Sequence, residues 1–347
     1  MATLSLHEQL AEHIVWLLVQ FVAFSILTFA LWRRLGRKSR IALGEHEWIL
    51  ITGCDSGIGF ALSDRLARSG YKVIATCLHP SGPSARALIS HGVEVFRLDL
   101  MEKDLEVFGG EVENFLKKNS GRLHALVNNA GVCVMGEFDW LTEQQVDLVF
   151  KVNLGSMRVI RLLMDRIVAD RCRIINVTSV NGIIAYPGLS AYCASKSALE
   201  SFSDSLAMEL EKFGVRVIKV RPADFAKITS IMSAQDEHTE RMRQNLSESK
   251  RLRYGNYFDD YQRLTSEMAG QLSMENFDGI LKIFEDALFE AEPRIAYNSG
   301  HRFYILVCRL LCVLPECCQR FVVTWAFRKV LREQNVALPN EMLCPRR

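Results

Sequence analysis

The chain of 347 residues has no strong imbalance of charge, since 42 lysines and arginines face 40 aspartates and glutamates and leave a formal +2. A nucleic-acid-binding protein would carry a basic excess on some face, and that class is excluded. No low-complexity tract and no internal repeat breaks the chain, so it can bury a full core as one large domain or two small ones. The ten cysteines include no C-x-x-C pair, and the eight histidines show no metal-ligand spacing. Cysteines such as Cys77, Cys172, Cys308 and Cys312 are scattered through apolar stretches of a chain far larger than any scaffold that needs disulfide staples. A reducing compartment and no structural metal are expected. Cys317 and Cys318 read as adjacent buried thiols in an apolar segment rather than a lipidation or metal site.

What the sequence does have begins near its N-terminus. Residues 14–32, IVWLLVQFVAFSILTFALW, carry no charge. At 1.5 Å per residue they would reach about 28 Å, close to the hydrocarbon thickness of a bilayer. Trp16 and Trp32 stand near the two ends, where aromatic belts occur. Arg33, Arg34, Arg37, Lys38 and Arg40 follow, whereas Glu8 and Glu12 precede. That asymmetry predicts a single-pass anchor with residues 33 onward in the cytosol. A cleaved signal would carry its bases ahead of the apolar run, and a transit peptide would be arginine-rich and poor in acids. The expected order is a tail over 1–13, an anchor over 14–32, a basic linker over 33–46, a catalytic domain over 47–300 and an apolar segment over 301–347. The endoplasmic reticulum is the expected membrane, with the mitochondrion as the alternative.

From Glu47 the pattern is a buried strand, EWILITG, running into GCDSGIGFALSDRLARSG, with glycines at 53, 57 and 59. A glycine-rich turn between strand and helix lets the backbone approach a pyrophosphate at the helix N-terminus. Gly70 suits a helix C-cap, and a second strand follows in YKVIATC. Helix–strand alternation continues, predicting an α/β fold of Rossmann type: a doubly wound parallel sheet in a single domain. Asp99 at the end of a third strand, and Asn128, Asn129, Ala130 and Gly131 at the end of a fourth, fall where such sheets bind ligands. Each singly reads as a turn or cap; as a set they mark a site. Beyond the second strand stand Cys77, Leu78 and His79, with neither the acid that reads a free ribose nor the arginine that reads a 2′-phosphate. The missing cation leans the choice between NAD and NADP towards NAD.

Tyr192 and Lys196 lie four residues apart at the start of an amphipathic helix, on one face of it. Hydride transfer to a carbonyl builds negative charge on the oxygen, and a proton must reach it. A tyrosine of ordinary pKa about 10 is sluggish near neutral pH. An ammonium beside it would stabilise the phenolate, and a serine hydroxyl would steady the developing oxyanion.

Residues 47 to about 230 resemble the short-chain dehydrogenase/reductase family. The resemblance rests on TGCDSGIG (52–59), Asp99, NNAG (128–131), Asn153 in KVNLG, NVTSV (176–180) and YCASK (192–196), six motifs in order. It implies that Tyr192 is the general acid or base and that Ser179 holds the substrate oxygen. Lys196 would bind the nicotinamide ribose and lower the tyrosine pKa, and Asn153 would support a proton-relay water. Thr52, Gly53, Asp55, Ser56, Gly57, Ile58 and Gly59 would cradle the cofactor, with Asp99, Asn129, Ala130, Gly131, Pro222 and Thr229 beside it. Ala223 replaces the glycine that many relatives carry after the proline, and Lys227 replaces a threonine, so Thr229 would take over the carboxamide contact.

GCDSGIG, VIATCL and YGNYFDDY resemble the branch of D-3-hydroxybutyrate dehydrogenase type 1 and the retinol and hydroxysteroid dehydrogenases, with insect steroidogenic members of the shroud type among its kin. That likeness, with the anchor, implies an alcohol dehydrogenase or ketone reductase acting on a lipophilic steroid or retinoid. Hydroxybutyrate oxidation, or a cofactor-binding membrane protein that has lost turnover, is the alternative. A helical lid is expected over 225–270, with Tyr186, Met232, Tyr254 and Tyr257 as lining or as ordinary lid packing. Residues 303–331 are apolar but broken by Arg309, Pro315, Glu316 and Arg320. Helices lying on the membrane or forming a substrate entrance are expected there; core packing or a face for a homo-oligomer is the alternative.

Overall fold

The computed structural model describes residues 6–35, 39–268 and 273–339. The far end of the tail, part of the basic linker, the last residues of the lid and the end of the C-terminal segment lie outside them. The chain forms two compact units, one running up to Ala42 and including Phe289–Pro293, the other Leu43–Leu288 with residues from Arg294 onward.

In the first unit, α1 runs Leu6–Leu35. After it Ile41 N donates to Phe289 O (2.7 Å) and Ala291 N to Ser39 O (2.9 Å), closing an antiparallel bridge between Arg40 and Glu290. Among the described residues no helix is long and apolar enough to cross a membrane, so the span expected over 14–32 is not found there. The side chains described in α1 are those of residues 13–28, and the apolar run extends past them.

The second unit is built on a parallel sheet of β1 (Glu47–Ile51), β2 (Lys72–Cys77), β3 (Glu94–Arg97), β4 (Arg122–Asn128), β5 (Arg173–Val177), β6 (Val217–Pro222) and β7 (Ala296–Ser299). The order is β3-β2-β1-β4-β5-β6-β7, so the direction of winding reverses between β1 and β4. Central strands such as ILI in β1 and RIINV in β5 are buried along their length, as strands covered on both faces must be. The third strand ends at Arg97, two residues short of Asp99. A last strand, β7, beyond the six that the sequence pattern predicts, joins through Lys219 N to Ile295 O (2.9 Å).

Helices α2 (Gly57–Arg68), α3 (Pro83–Ser90), α4 (Glu106–Lys118), α5 (Glu143–Asn153), α6 (Gly155–Leu162), α7 (Met164–Asp170) and α8 (Ser190–Leu210) cross between the strands. The expected lid is helical: α9 (Gln235–Asn245), α10 (Glu248–Tyr254) and α11 (Tyr257–Met268). Then come α12 (Asp278–Phe289), α13 (Arg302–Cys312) and α14 (Glu316–Glu333). In α8 Tyr192, Lys196, Leu199, Ser203, Leu206 and Leu210 recur at helical spacing and are all buried.

One core packs Leu50, Ile74, Leu116, Leu126, Val159 and Ile167 between sheet and helices. A second, under the lid, gathers Trp140, Tyr192, Met242, Tyr257, Tyr261 and Leu331. The C-terminal helices share in this packing: Phe327 of α14 meets Tyr186 and Tyr261, while Cys308 of α13 packs on Val180 and Ile184. Cys317 and Cys318 are exposed, contrary to expectation, because the turn at Pro315 carries the start of α14 away from that core.

Candidate active site

The site forms at the carboxyl ends of β1, β4 and β5, at the reversal in strand order, where open α/β sheets bind their ligands. Gly53 and Gly57 take φ of +71° and +60°, a left-handed conformation that costs a residue with a Cβ about 1–2 kcal/mol. A Cβ on Gly59 would stand 2.4 Å from Gly53 O and 2.5 Å from Asn129 Nδ2. Helix α2 starts here with no side-chain cap from Ser56 and no acid in its first turn, which leaves its N-terminus fit for a phosphate.

Several residues expected at the cofactor are the stitching of this cradle. Thr52 Oγ1 accepts from the amides of Asn129 (3.0 Å) and Ala130 (3.1 Å). Asn129 Nδ2 donates back to Thr52 O and Gly53 O, so the ends of β1 and β4 are locked together. Asp55 accepts from the amides of Leu78 (2.9 Å) and His79 (3.1 Å), tying the glycine turn to the end of β2. Asp99 accepts from Met101 N. Thr229 lies against the turn, 3.3 Å from where a Cβ of Gly57 would be, whereas Lys227 is exposed. Of those two positions, Thr229 is the one the fold brings to the cradle. Pro222 closes β6 and is buried.

The three residues expected to act together do converge. Ser179 follows β5 and takes the N-cap of a short turn, accepting from Asn181 N (3.1 Å). It lies close enough to Tyr192 of α8 to pull that phenol's pKa down. Lys196 Nζ donates to Val177 O (3.0 Å) and lies 5.8 Å from the centre of the Tyr192 ring. Asn153, at the end of α5, spends its whole side chain on scaffold. Its Nδ2 donates to Val132 O and Ser195 Oγ, and its Oδ1 accepts from Val132 N. This pins the loop after Gly131 against α8; a Cβ on Gly131 would come 3.4 Å from Lys196 Nζ.

Electrostatics here correct one expectation. Burial, with Cys133 beside it, pushes the Tyr192 phenol above its ordinary value, and Ser179 only partly opposes this. Lys196 is itself lowered to about 8 by burial, with Cys133 and Glu200 pulling the other way. Desolvation dominates at the phenol, and the lowering expected from Lys196 does not emerge. A phenol held protonated is a proton donor at neutral pH, which suits reduction of a carbonyl.

Sequence reasoning missed the charged group behind the site. Glu200, one turn past Lys196, accepts two hydrogen bonds from Arg221 (2.8 and 2.7 Å) and lies 3.2 Å from Lys219 Nζ, all on or beside β6. It also missed a buried relay from Asn128 Nδ2 to Asn176 Oδ1 (2.9 Å) and from Asn176 Nδ2 to Ser203 Oγ (2.8 Å). The E at 200 and R at 221 are twenty-one apart in sequence, and only the pairing of α8 with β6 joins them. On the lid, Tyr254 and Tyr257 turn their hydroxyls to Asp139 (3.0 Å) and Glu137 (2.7 Å), clasping α10 and α11 to the loop below.

A glycine-lined turn at the head of α2, with a serine, a tyrosine and a lysine meeting beyond β5, defines a Rossmann-type oxidoreductase. The sequence profile of the short chain dehydrogenases matches residues 47–240, over half of the chain, and the protein belongs to that family. It is 33% identical over 282 residues to retinol dehydrogenase 5 of Mus musculus, covering 80% of this chain and 87% of the relative. Retinol dehydrogenase 5 of Homo sapiens is 30% identical over 309 residues, covering 88% and 96%. A crystal structure of a short chain dehydrogenase/reductase from Burkholderia phymatum superposes with a TM-score of 0.62 at 23% identity, over 77% of this chain and 94% of that one, a likeness of fold. The chain fits the retinol and hydroxysteroid dehydrogenase branch and is an NAD(P)-dependent alcohol dehydrogenase or ketone reductase.

Proposed function

We propose that the protein is a membrane-anchored oxidoreductase that interconverts a hydroxyl and a carbonyl on a lipophilic substrate of the retinoid or steroid class. The observation that carries this reading is the convergence of Ser179, Tyr192 and Lys196 beneath a lid whose underside is aromatic and apolar. The nicotinamide cofactor supplies or accepts the hydride. Ser179 Oγ holds the substrate oxygen, and Tyr192 gives its phenolic proton to that oxygen in reduction and takes one back in oxidation. Lys196 keeps a positive charge beside the phenol as the negative charge passes through it. Tyr186, Met232 and Phe327 border the same cluster and exclude water from it. The retinol dehydrogenases among the relatives support a lipophilic substrate. NAD is the proposed cofactor, on the missing cation at Cys77, Leu78 and His79; the Burkholderia phymatum relative was crystallised with NAD. Thr229 against Gly57 weighs against a site that has lost turnover.

Anchoring is proposed from α1. Each large apolar side chain described from Ile14 to Leu27 is more than half exposed, with Ile14 at 52% the least. A helix apolar on every side is either core or lipid-embedded, and within its own unit this one is not core. We place the catalytic unit on the cytosolic face of the endoplasmic reticulum, with a mitochondrial membrane as the alternative. The test is turnover by membranes carrying the full chain, with NAD(H) and NADP(H), against retinol, sterols and 3-hydroxybutyrate. Turnover of a retinoid or sterol is expected, as is retention in the membrane pellet after alkaline carbonate. Turnover of 3-hydroxybutyrate alone, or release by carbonate, would overturn the substrate class or the anchor respectively.

A further inference from the structure

The corner where the adenosine end of a dinucleotide is read has an unusual owner. In this fold an acid at the end of the second strand normally accepts from the free ribose hydroxyls, or an arginine nearby takes a 2′-phosphate. Neither stands at Cys77, Leu78 or His79. The acid arrives instead from the glycine turn. Asp55 Oδ2 accepts from Leu78 N (2.9 Å) and Oδ1 from His79 N (3.1 Å), which seats a half-buried carboxylate against the end of β2. A carboxylate has about four acceptor positions. Two are used by the amides, which leaves two for a vicinal diol.

The surrounding charges agree. No lysine or arginine lies within 53–59 or 77–82. Arg97, the register partner of Cys77 on β3, is engaged by Glu102 (2.6 Å) and stands 3.9 Å from Asp99. Arg86 donates to Ser81 O (2.6 Å). Arg97 is thus taken up by two acids and Arg86 by a backbone carbonyl, while a phosphate would bring about −1.5 to −2 to the Asp55 carboxylate at neutral pH.

We infer that Asp55 selects the cofactor: seated by the amides of Leu78 and His79, its carboxylate accepts from the ribose hydroxyls of NAD(H) and repels the 2′-phosphate of NADP(H). This rests on the proposed dehydrogenase reading and adds the residue that decides between the two dinucleotides. It also gives a second duty to a side chain whose hydrogen bonds alone would look like loop scaffolding.

The experiment is equilibrium binding of NADH and NADPH to the purified full chain in detergent, read by nicotinamide fluorescence without substrate. Wild-type protein should bind NADH roughly 100-fold tighter than NADPH, the order of a like-charge clash. Asp55→Asn keeps the shape and removes the charge; it should weaken NADH, tighten NADPH and bring the two within about tenfold of each other. A double variant Arg86→Ala, Arg97→Ala should leave the wild-type ratio in place. If Asp55→Asn lowers both affinities in parallel, Asp55 is scaffold and the inference fails. It fails too if the wild type prefers NADPH, or if the arginine variant selectively loses NADPH. Binding of neither dinucleotide by the wild type would instead overturn the dehydrogenase reading beneath it.

Discussion

Replacing Lys196 by methionine should make the protein inactive and more stable. The lysine is 3% exposed, and its ammonium is lowered from an ordinary 10.5 to about 8 by burial. Keeping it charged at neutral pH therefore costs roughly 3 kcal/mol. Methionine fills a similar volume without charge and forfeits the hydrogen bond to Val177 O, about 1 kcal/mol. The net gain is about 2 kcal/mol, or roughly 4–8 °C in melting temperature for a domain of this size. Between pH 8 and 10.5 the unfolded lysine holds its proton while the folded one has released it, so wild-type stability rises with pH across that window. The cost is full below pH 8, and the advantage of Lys196→Met should shrink as pH approaches 10.5. Thermal melts of the cofactor-free protein at pH 7 and at about pH 9.5 would measure both effects. A variant that melts at or below wild type at pH 7, or an advantage that does not change with pH, would refute the reasoning. The active-site charge would then be no burden on the fold.

Glu200→Gln should do the reverse, since it leaves Lys219 and Arg221 facing each other with only half-exposed Asp204 to compensate. A loss of about 3–5 kcal/mol is expected in urea unfolding. Burial pushes the Glu200 pKa up, but Arg221, Thr178 and Lys219 together hold it below the ordinary carboxylate value. Its contribution is therefore present above that ordinary value and lost as pH falls through the lower folded one, and the variant should lack this acid-side decline. Gly59→Ala puts a methyl 2.4 Å from Gly53 O, displacing the turn; NADH binding should weaken at least about tenfold while the far-ultraviolet circular dichroism is kept.

The strand–turn–helix opening was legible because its signals are local: a run of buried β residues, glycines that need positive φ, and an amphipathic helix after them. The Tyr192 and Lys196 pair was legible for the same reason, since helical spacing alone puts both on one face. Asp55 was visible as part of the glycine motif, but its reach to Leu78 and His79 was not, because it depends on how β1 and β2 pair. Glu200 with Arg221, and Asn128 with Asn176, were hidden for that reason too. The burial that raises the Tyr192 pKa is not legible, because sequence reveals a neighbouring charge more readily than it reveals burial. The grip on Tyr254 and Tyr257 was hidden as well, because Glu137 and Asp139, which hold them, sit more than a hundred residues upstream.

The central claim is that the Tyr192 phenol moves the proton in a hydride transfer. Single-turnover kinetics with bound NADH and an aldehyde or ketone that the wild type reduces tests it most directly, comparing wild type with Tyr192→Phe. Reduction should slow by about 100-fold or more while NADH affinity stays within about threefold, because phenylalanine keeps the packing and removes only the proton. A Tyr192→Phe protein that still reduces substrate at close to the wild-type rate would contradict the account.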